Sequence, residues 1–219
     1  MREINLLKRY PAGKRSVAKR LDAKTDDHIR ISRLYGKEYF DGSREYGYGG
    51  YSYDGRWLPI AQDMIEHWGL KPGMRVLDIG CAKGFLVKDF MRACPGLDVY
   101  GLDISEYALL HCEPEVIGRL HLGNMKKLPF PDNSFDAVVC INTAHNLERD
   151  DCIEAIKEIG RVCMTNNSYI QVDSYKTQEE KDVFLDWVLT AYTHEYPSGW
   201  EEIFKKAGYR GDYYWTLIA

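Results

Sequence analysis

Two carboxylates and a loop of small residues hold the chemistry that this chain advertises. Residues 74–84 read Met-Arg-Val-Leu-Asp-Ile-Gly-Cys-Ala-Lys-Gly: an apolar strand ending in an acid, a loop of small residues, then the apolar stretch 85–91. A strand, tight loop and helix in this order make a nucleotide cradle, because loop N–H groups and the helix start face the ligand. Spacing narrows the ligand. Dinucleotide sites place the last glycine three residues after the second, where the helix N-terminus takes a pyrophosphate. Here Gly80, Ala82 and Gly84 fall two apart, and Asp78, two residues ahead of the first glycine, suits an approaching ammonium better than a phosphate. Val99-Tyr100-Gly101-Leu102-Asp103 is a second buried strand ending in an acid. It lies about 20 residues beyond the loop, where a carboxylate accepts hydrogen bonds from both ribose hydroxyls.

A nucleoside that also carries an amino group answers both acids, and S-adenosylmethionine is such a molecule. A third block, Leu128-Pro129-Phe130-Pro131-Asp132-Asn133-Ser134-Phe135-Asp136, leads into the apolar strand 137–142. Taken in order, the three blocks resemble the class I S-adenosylmethionine-dependent methyltransferases across residues 60–175. The resemblance implies a Rossmann-like, doubly wound, mostly parallel α/β sheet of six to seven strands with helices on both faces. It implies cofactor contacts from Asp78, Gly80, Cys81, Ala82, Gly84, Asp103, Ile104, Asn124, Met125 and Asn142, no metal, and S-adenosylhomocysteine as product. Two positions depart from the family pattern. Ala82 replaces the middle glycine, which is harmless where φ is negative, and Asn124 stands where an acid often reads the adenine amino group, an amide oxygen being able to accept the same hydrogen bond. Family members usually close with a two-stranded hairpin. Only residues 212–218 remain after Gly208, so the partner strand is short, lies around 189–194, or is missing.

In open α/β sheets the site lies at the carboxyl ends of the strands. His145, just past the fourth core strand, and Asp173 and Tyr175, at the end of the fifth, are therefore the candidates to take a proton from a protic acceptor. His145 has the fitting intrinsic pKa. Residues 46–57 pack four tyrosines, a tryptophan and four glycines into twelve positions. Glycines let the backbone come close to a ligand, and aromatic faces attract a sulfonium or ammonium, so this block reads as a lid with Tyr48, Tyr51, Tyr53, Arg56 and Trp57 over the acceptor. Arg44 and Arg56 are candidates for an anionic substrate group. With its lead Lys-Glu-Tyr-Phe-Asp-Gly at 37–42, the block is also similar to a bacterial methyltransferase subgroup found with surface-polysaccharide or secondary-metabolite genes.

The elements that must position these residues follow from periodicity and punctuation. Residues 1–57 form a cap and lid, with a helix near 26–35, and residues 58–219 form the core. Helix 60–68 ends before Gly69, Pro72 and Gly73. Strand and helix then alternate, with helix 152–162, strand 169–173, helix 178–189 and helix 198–206 opened by a Ser cap. Alternation implies parallel strands joined by right-handed crossovers. A chain of 219 residues with 45% hydrophobic content closes one α/β core.

Net charge −4 argues against a nucleic-acid partner, and the basic run Lys8, Arg9, Lys14, Arg15, Lys19 and Arg20 reads as a solvated segment. No run reaches the ~20 apolar residues of a membrane span and no signal peptide is recognisable, so the expected setting is cytoplasmic. Six cysteines without a Cys-x-x-Cys pair indicate neither a disulfide framework nor a metal site. The expected partner is a small-molecule substrate, with a homodimer compatible. The sequence leaves open a catalytically silent cofactor-binding protein and, against the glycine spacing, a nicotinamide-dependent oxidoreductase.

Overall fold

The computed structural model describes residues 1–11 and 24–217. Lys14, Arg15, Lys19 and Arg20, together with Ile218 at the end of the last expected strand, lie outside the described residues. Among the described residues the strands are β1 (Arg2–Glu3), β2 (Arg75–Ile79), β3 (Asp98–Asp103), β4 (Leu120–Leu122), β5 (Ala137–Ile141), β6 (Ser168–Ser174) and β7 (Asp212–Leu217). They form one sheet in the order β1-β7-β6-β5-β2-β3-β4, with every pair parallel. The helices are α1 (Asp26–Ser32), α2 (Lys37–Asp41), α3 (Leu58–Trp68), α4 (Phe85–Ala93), α5 (Glu106–Leu110), α6 (Arg149–Val162), α7 (Gln178–Trp187) and α8 (Pro197–Lys206). The doubly wound Rossmann-like architecture is the expected one. Strand order reverses between β2 and β5, and their carboxyl ends open the crevice in which such sheets bind ligands.

Strand alternation builds two cores. Leu77, Ile79, Val138, Cys140, Ile170 and Val172 pack one face against α6 and α8, through Ile156, Ile159, Trp200 and Phe204. Val76, Val99, Ala137, Val139 and Tyr169 pack the other against α3 and α4, through Ile60, Met64, Val87 and Phe90. Such continuously apolar strands are what a sheet covered on both faces requires. Asp78 follows Val76 by two residues and so shares its face, a charge placed where the strand pattern asks for a hydrocarbon.

The closing hairpin usual in the family is absent among the described residues, one of the outcomes the sequence leaves open. Its place beside β7 is taken by β1, the N-terminal strand, which also runs parallel, so segment 1–57 supplies a strand to the sheet as well as a cover. Long-range pairing of a two-residue strand leaves no local sequence signature, which is why it was not expected. Ion pairing fixes it: Arg2 Nε and Nη2 donate to the two oxygens of Asp212, each at 3.0 Å, and His67 Nε2 at the end of α3 meets Asp212 Oδ2 at 2.7 Å. Residues 189–194, the other candidate partner, turn back along the sheet's carboxyl edge instead, with the Tyr192 and Thr193 N–H groups both donating to His145 O at 3.0 Å. Helix α8 begins one residue earlier than expected, at Pro197 in the N1 position, and its cap Tyr196 makes no side-chain cap bond, so Ser198 is not the cap.

Burial opposes ionisation of Asp212, yet the bonds from Arg2 and His67 hold its carboxyl below the usual range. A depressed carboxylate stabilises the fold above its unfolded pKa and loses that contribution as pH falls through the folded value. Asp212→Asn is therefore expected to lower the thermal midpoint at pH 7 by roughly 3–6 °C, with the gap to the unaltered protein closing at acidic pH. Calorimetric scans at several pH values check this.

Candidate active site

The loop after β2 is held so tightly that its residue types are dictated. Gly80 has φ +79°, and a Cβ there would lie 1.9 Å from Thr143 Oγ1, so no other residue fits. The Gly80 and Cys81 N–H groups both donate to Leu102 O, at 2.7 and 3.1 Å, pinning the loop to β3. Ala82 has φ +50°, contrary to the negative φ under which its methyl group is harmless. A left-handed alanine costs roughly 1–2 kcal/mol, which its environment offsets: the Ala82 N–H donates to Asp103 Oδ2 at 2.7 Å. Gly84 caps α4 in the left-handed region; it shapes the turn and lines neither cavity described next.

Two cavities meet at this loop. The larger, about 820 Å³, is floored by Asp78, Gly80, Cys81 and Ala82 and bounded by Asn142, His145 and Asp173 on the sheet side. The smaller, about 140 Å³, is an apolar slot between Leu102, Ile104, Met125 and Leu147, with Asp103 and Asn124 at its polar edge. Gly80, Ala82, Asn142, the lid residue Tyr48 and Tyr39 of α2 line both. A slot with a carboxylate at its edge fits a nucleoside, and the larger space has room for the rest of a cofactor and a second molecule.

The acids of the two strand ends differ in satisfaction. Asp103 accepts from Ala82 N and from Ser105 N at 2.8 Å; each oxygen retains a lone pair for a ribose hydroxyl. Asp78 is 5% exposed, and among the described residues no hydrogen bond reaches its carboxylate. Burial first, and the neighbouring Asp103 charge second, push it up to about 7. A buried carboxylate without a partner is costly, and a ligand cation removes that cost. S-adenosylmethionine fits this chain's residues on that ground: Asp78 would hold its ammonium, Asp103 its ribose and the Ile104 and Met125 slot its base.

His145 is 5% exposed, and its Nδ1 accepts from Asp173 N at 3.2 Å. Its one lone pair in the neutral ring is thereby used, which leaves the proton on Nε2. Burial lowers its pKa, against a smaller opposite effect of Asp173, so the ring is a neutral N–H donor at the cavity wall. Asp173 lines the same wall. Tyr175 does not join them. Strand β6 ends at Ser174, and Tyr175 turns into a separate apolar cluster with Phe184 and Ala191, its hydroxyl engaged by His194 Nδ1 at 3.1 Å. The Asn124 oxygen, expected to face an adenine amino group, accepts from Lys126 N at 3.0 Å in its own turn. Asn142 sits at φ +53°, a region Asn tolerates, its N–H accepted by Gln171 O at 3.0 Å and Gln171 Oε1 at 3.1 Å.

Of the lid residues, Tyr48, Tyr51, Arg56 and Trp57 line the larger cavity. Tyr53 does not: its hydroxyl donates to Oδ1 of Asp89, a buried residue of α4, at 2.6 Å. Arg56 is forked onto Asp54, so its charge is already matched. Tyr39, Thr190 and Thr216 also line the cavity and escaped sequence reasoning. Thr216 was findable by the rule that located Asp173, being near the end of a core strand; Thr190 comes from a loop whose path only the fold sets. All six cysteines are free thiols, no group of three or more metal-ligating side chains occurs among the described residues, and no described helix is long and apolar enough to cross a membrane.

A parallel sheet with a glycine-bent loop beside its switch point and acids ending two neighbouring strands has the geometry of a nucleoside cradle. Residues 77–170 match the family model described as a methyltransferase domain. Over 140 residues the chain is 33% identical to a sterol 24-C-methyltransferase of Gibberella zeae, covering 56% of this chain and 36% of that protein. Over 130 residues it is 30% identical to a demethylmenaquinone methyltransferase of Symbiobacterium thermophilum, covering 56% and 51%. The chain thus spans about a third to a half of the length of these curated relatives. The crystal structure of YcgJ from Bacillus subtilis shares the fold, with TM-score 0.57 and 22% identity over 70% of this chain and 68% of that one.

Because its pKa is raised in the fold, Asp78 favours the folded state below its unfolded pKa and progressively loses that contribution as pH rises through about 7. Asp78→Asn is thus expected to stabilise the ligand-free protein at pH 8 by a few kcal/mol, each pK unit being about 1.4 kcal/mol, and to change little at pH 4. Denaturant unfolding at both pH values reads the difference.

Proposed function

We propose that this protein is an S-adenosylmethionine-dependent methyltransferase that places a methyl group on an oxygen or nitrogen of a small molecule of the sugar or secondary-metabolite type, leaving S-adenosylhomocysteine. The observation that carries this reading is the unpartnered Asp78 carboxylate facing the cavity that adjoins the Asp103 slot. When bound, the cofactor supplies a methyl group already activated on a sulfonium. What falls to the protein is alignment and exclusion of water. Asp78 and Asp103 fix the two ends of the donor, and Gly80 and Ala82 permit close approach between them.

His145 Nε2–H orients the acceptor atom by donating to it, and Asp173 takes the proton that a protic acceptor loses. A polar, ring-bearing substrate suits the larger cavity, which is lined by the contacting rings of Tyr10 and Trp57 together with Asn5, Thr190 and Thr216.

Titration calorimetry with S-adenosylmethionine tests the donor site. Only ionised Asp78 grips the ammonium, so affinity is expected to rise roughly fivefold from pH 6 to 7, a window in which an α-amino group stays mostly protonated. Asp103→Ala is expected to weaken binding by at least about tenfold. Unchanged affinity in both Asp78→Asn and Asp103→Ala contradicts the site. Labelled donor mixed with candidate acceptors then reads transfer; His145→Phe is expected to slow turnover while leaving donor affinity within about twofold, and full turnover in that variant removes His145 from the mechanism.

A further inference from the structure

One carboxylate fastens the whole lid. Asp41 ends α2, the helix that carries Tyr39 and Phe40, and it accepts hydrogen bonds from three other parts of the chain. Lys83 Nζ donates to both of its oxygens at 2.8 Å, Tyr107 OH of α5 donates to Oδ2 at 2.8 Å, and Tyr51 N donates to Oδ1 at 3.2 Å. Lys83 donates a further bond to Tyr51 O at 2.9 Å, so both backbone polar groups of Tyr51 end on this pair. Although burial opposes it, these donors keep the Asp41 carboxyl below its usual range.

The pair joins two structures that function must coordinate. Lys83 lies inside the cofactor loop, between Ala82, whose N–H is held by Asp103, and Gly84, which caps α4. It is 8% exposed, far more buried than a lysine with only a solvating role. On the other side, the Tyr51 ring stacks on Phe85 at 4.5 Å and contacts Tyr48 at 4.3 Å, and Tyr48 meets Tyr39 at 5.2 Å. Tyr39 and Tyr48 wall both cavities. A displacement of Lys83 with the cofactor loop thus reaches, through Asp41 and Tyr51, the aromatic wall that covers the donor.

We propose that Asp41 and Lys83 are positioning residues forming a latch between the cofactor loop and the tyrosine lid, which sets how long the donor and its demethylated product stay in the site. This rests on the donor reading above. Neither residue touches the reacting atoms; each acts through the lid, and opening the pair is the step that releases the product.

Stopped-flow release of S-adenosylhomocysteine, followed by intrinsic fluorescence, and amide hydrogen exchange across residues 46–53 test the latch on the full chain. Asp41→Asn and Lys83→Met are each expected to speed release about tenfold and exchange by a similar factor, the loss of one charged hydrogen-bonded contact. The double variant is expected to fall well short of the product of the singles, because both remove the Asp41–Lys83 contact and differ only in the separate bonds to Tyr51 and Tyr107. Tyr107→Phe, which deletes one bond at Asp41 and leaves the loop alone, is expected to give a smaller acceleration, and it keeps the test open should either charged variant fold poorly. Release that stays at the unaltered rate in variants that bind the product, whether or not exchange quickens, overturns the latch alone. No binding of S-adenosylhomocysteine by the unaltered protein overturns the donor reading and the latch with it.

Discussion

A carboxylate held in apolar surroundings with nothing to neutralise it is the constraint around which this structure is arranged. Asp78 sits on a strand face otherwise given to hydrocarbon, next to a second acid, and it is poised near pH 7 as a result. Stability alone would replace it, since an amide or an aliphatic group of similar size removes the penalty. Its presence makes sense as a binding determinant whose missing partner arrives with the ligand. The same desolvation that penalises the free carboxylate strengthens its attraction for a cation.

Around that acid the fold supplies rigidity. Seven parallel strands fix the carboxyl edge of the sheet, and the residues that shape the site are tied to that edge by backbone bonds: Gly80 and Cys81 to Leu102, Ala82 to Asp103, Asn142 to Gln171. Two non-glycine residues in the left-handed region, Ala82 and Asn142, lie at the junction of the two cavities. Strain concentrated where ligand groups meet is affordable only because these bonds over-determine the backbone. Gln171, wholly buried, extends the tie by donating to Thr216 Oγ1 at 2.6 Å, so the donor junction and the acceptor wall share one anchor. The part built for adjustment lies on the opposite side, in the aromatic cap, where ring contacts gather around the Asp41–Lys83 pair.

What the sequence disclosed follows from the range of the interactions concerned. Asp78, Gly80 and Asp103 were legible because a strand end, a turn and an offset are local patterns, and the sheet's parallel character followed from alternation of strand and helix. The left-handed φ of Ala82 was not legible, since it results from a bond to an acid 21 residues away. Tyr175 shares with Asp173 a place near a strand end, but the strand stops at Ser174 and the chain turns away, a boundary set by the docking of residues 189–195 and not by side-chain type. The role of β1 was hidden for the same reason: two residues carry no periodicity, and their partner lies more than two hundred positions along the chain. Cavity walls drawn from loops, such as Thr190, depend on the finished fold.

Proton release on donor binding tests the central claim most directly. If Asp78 is protonated in the free protein below pH 7 and ionised against the donor's ammonium, calorimetry at pH 6 in buffers of differing ionisation enthalpy should show close to one proton, roughly 0.9, leaving per S-adenosylmethionine bound. Asp78→Asn should show none. Tight binding with no proton released by the unaltered protein, or the same release from the variant, would contradict the account.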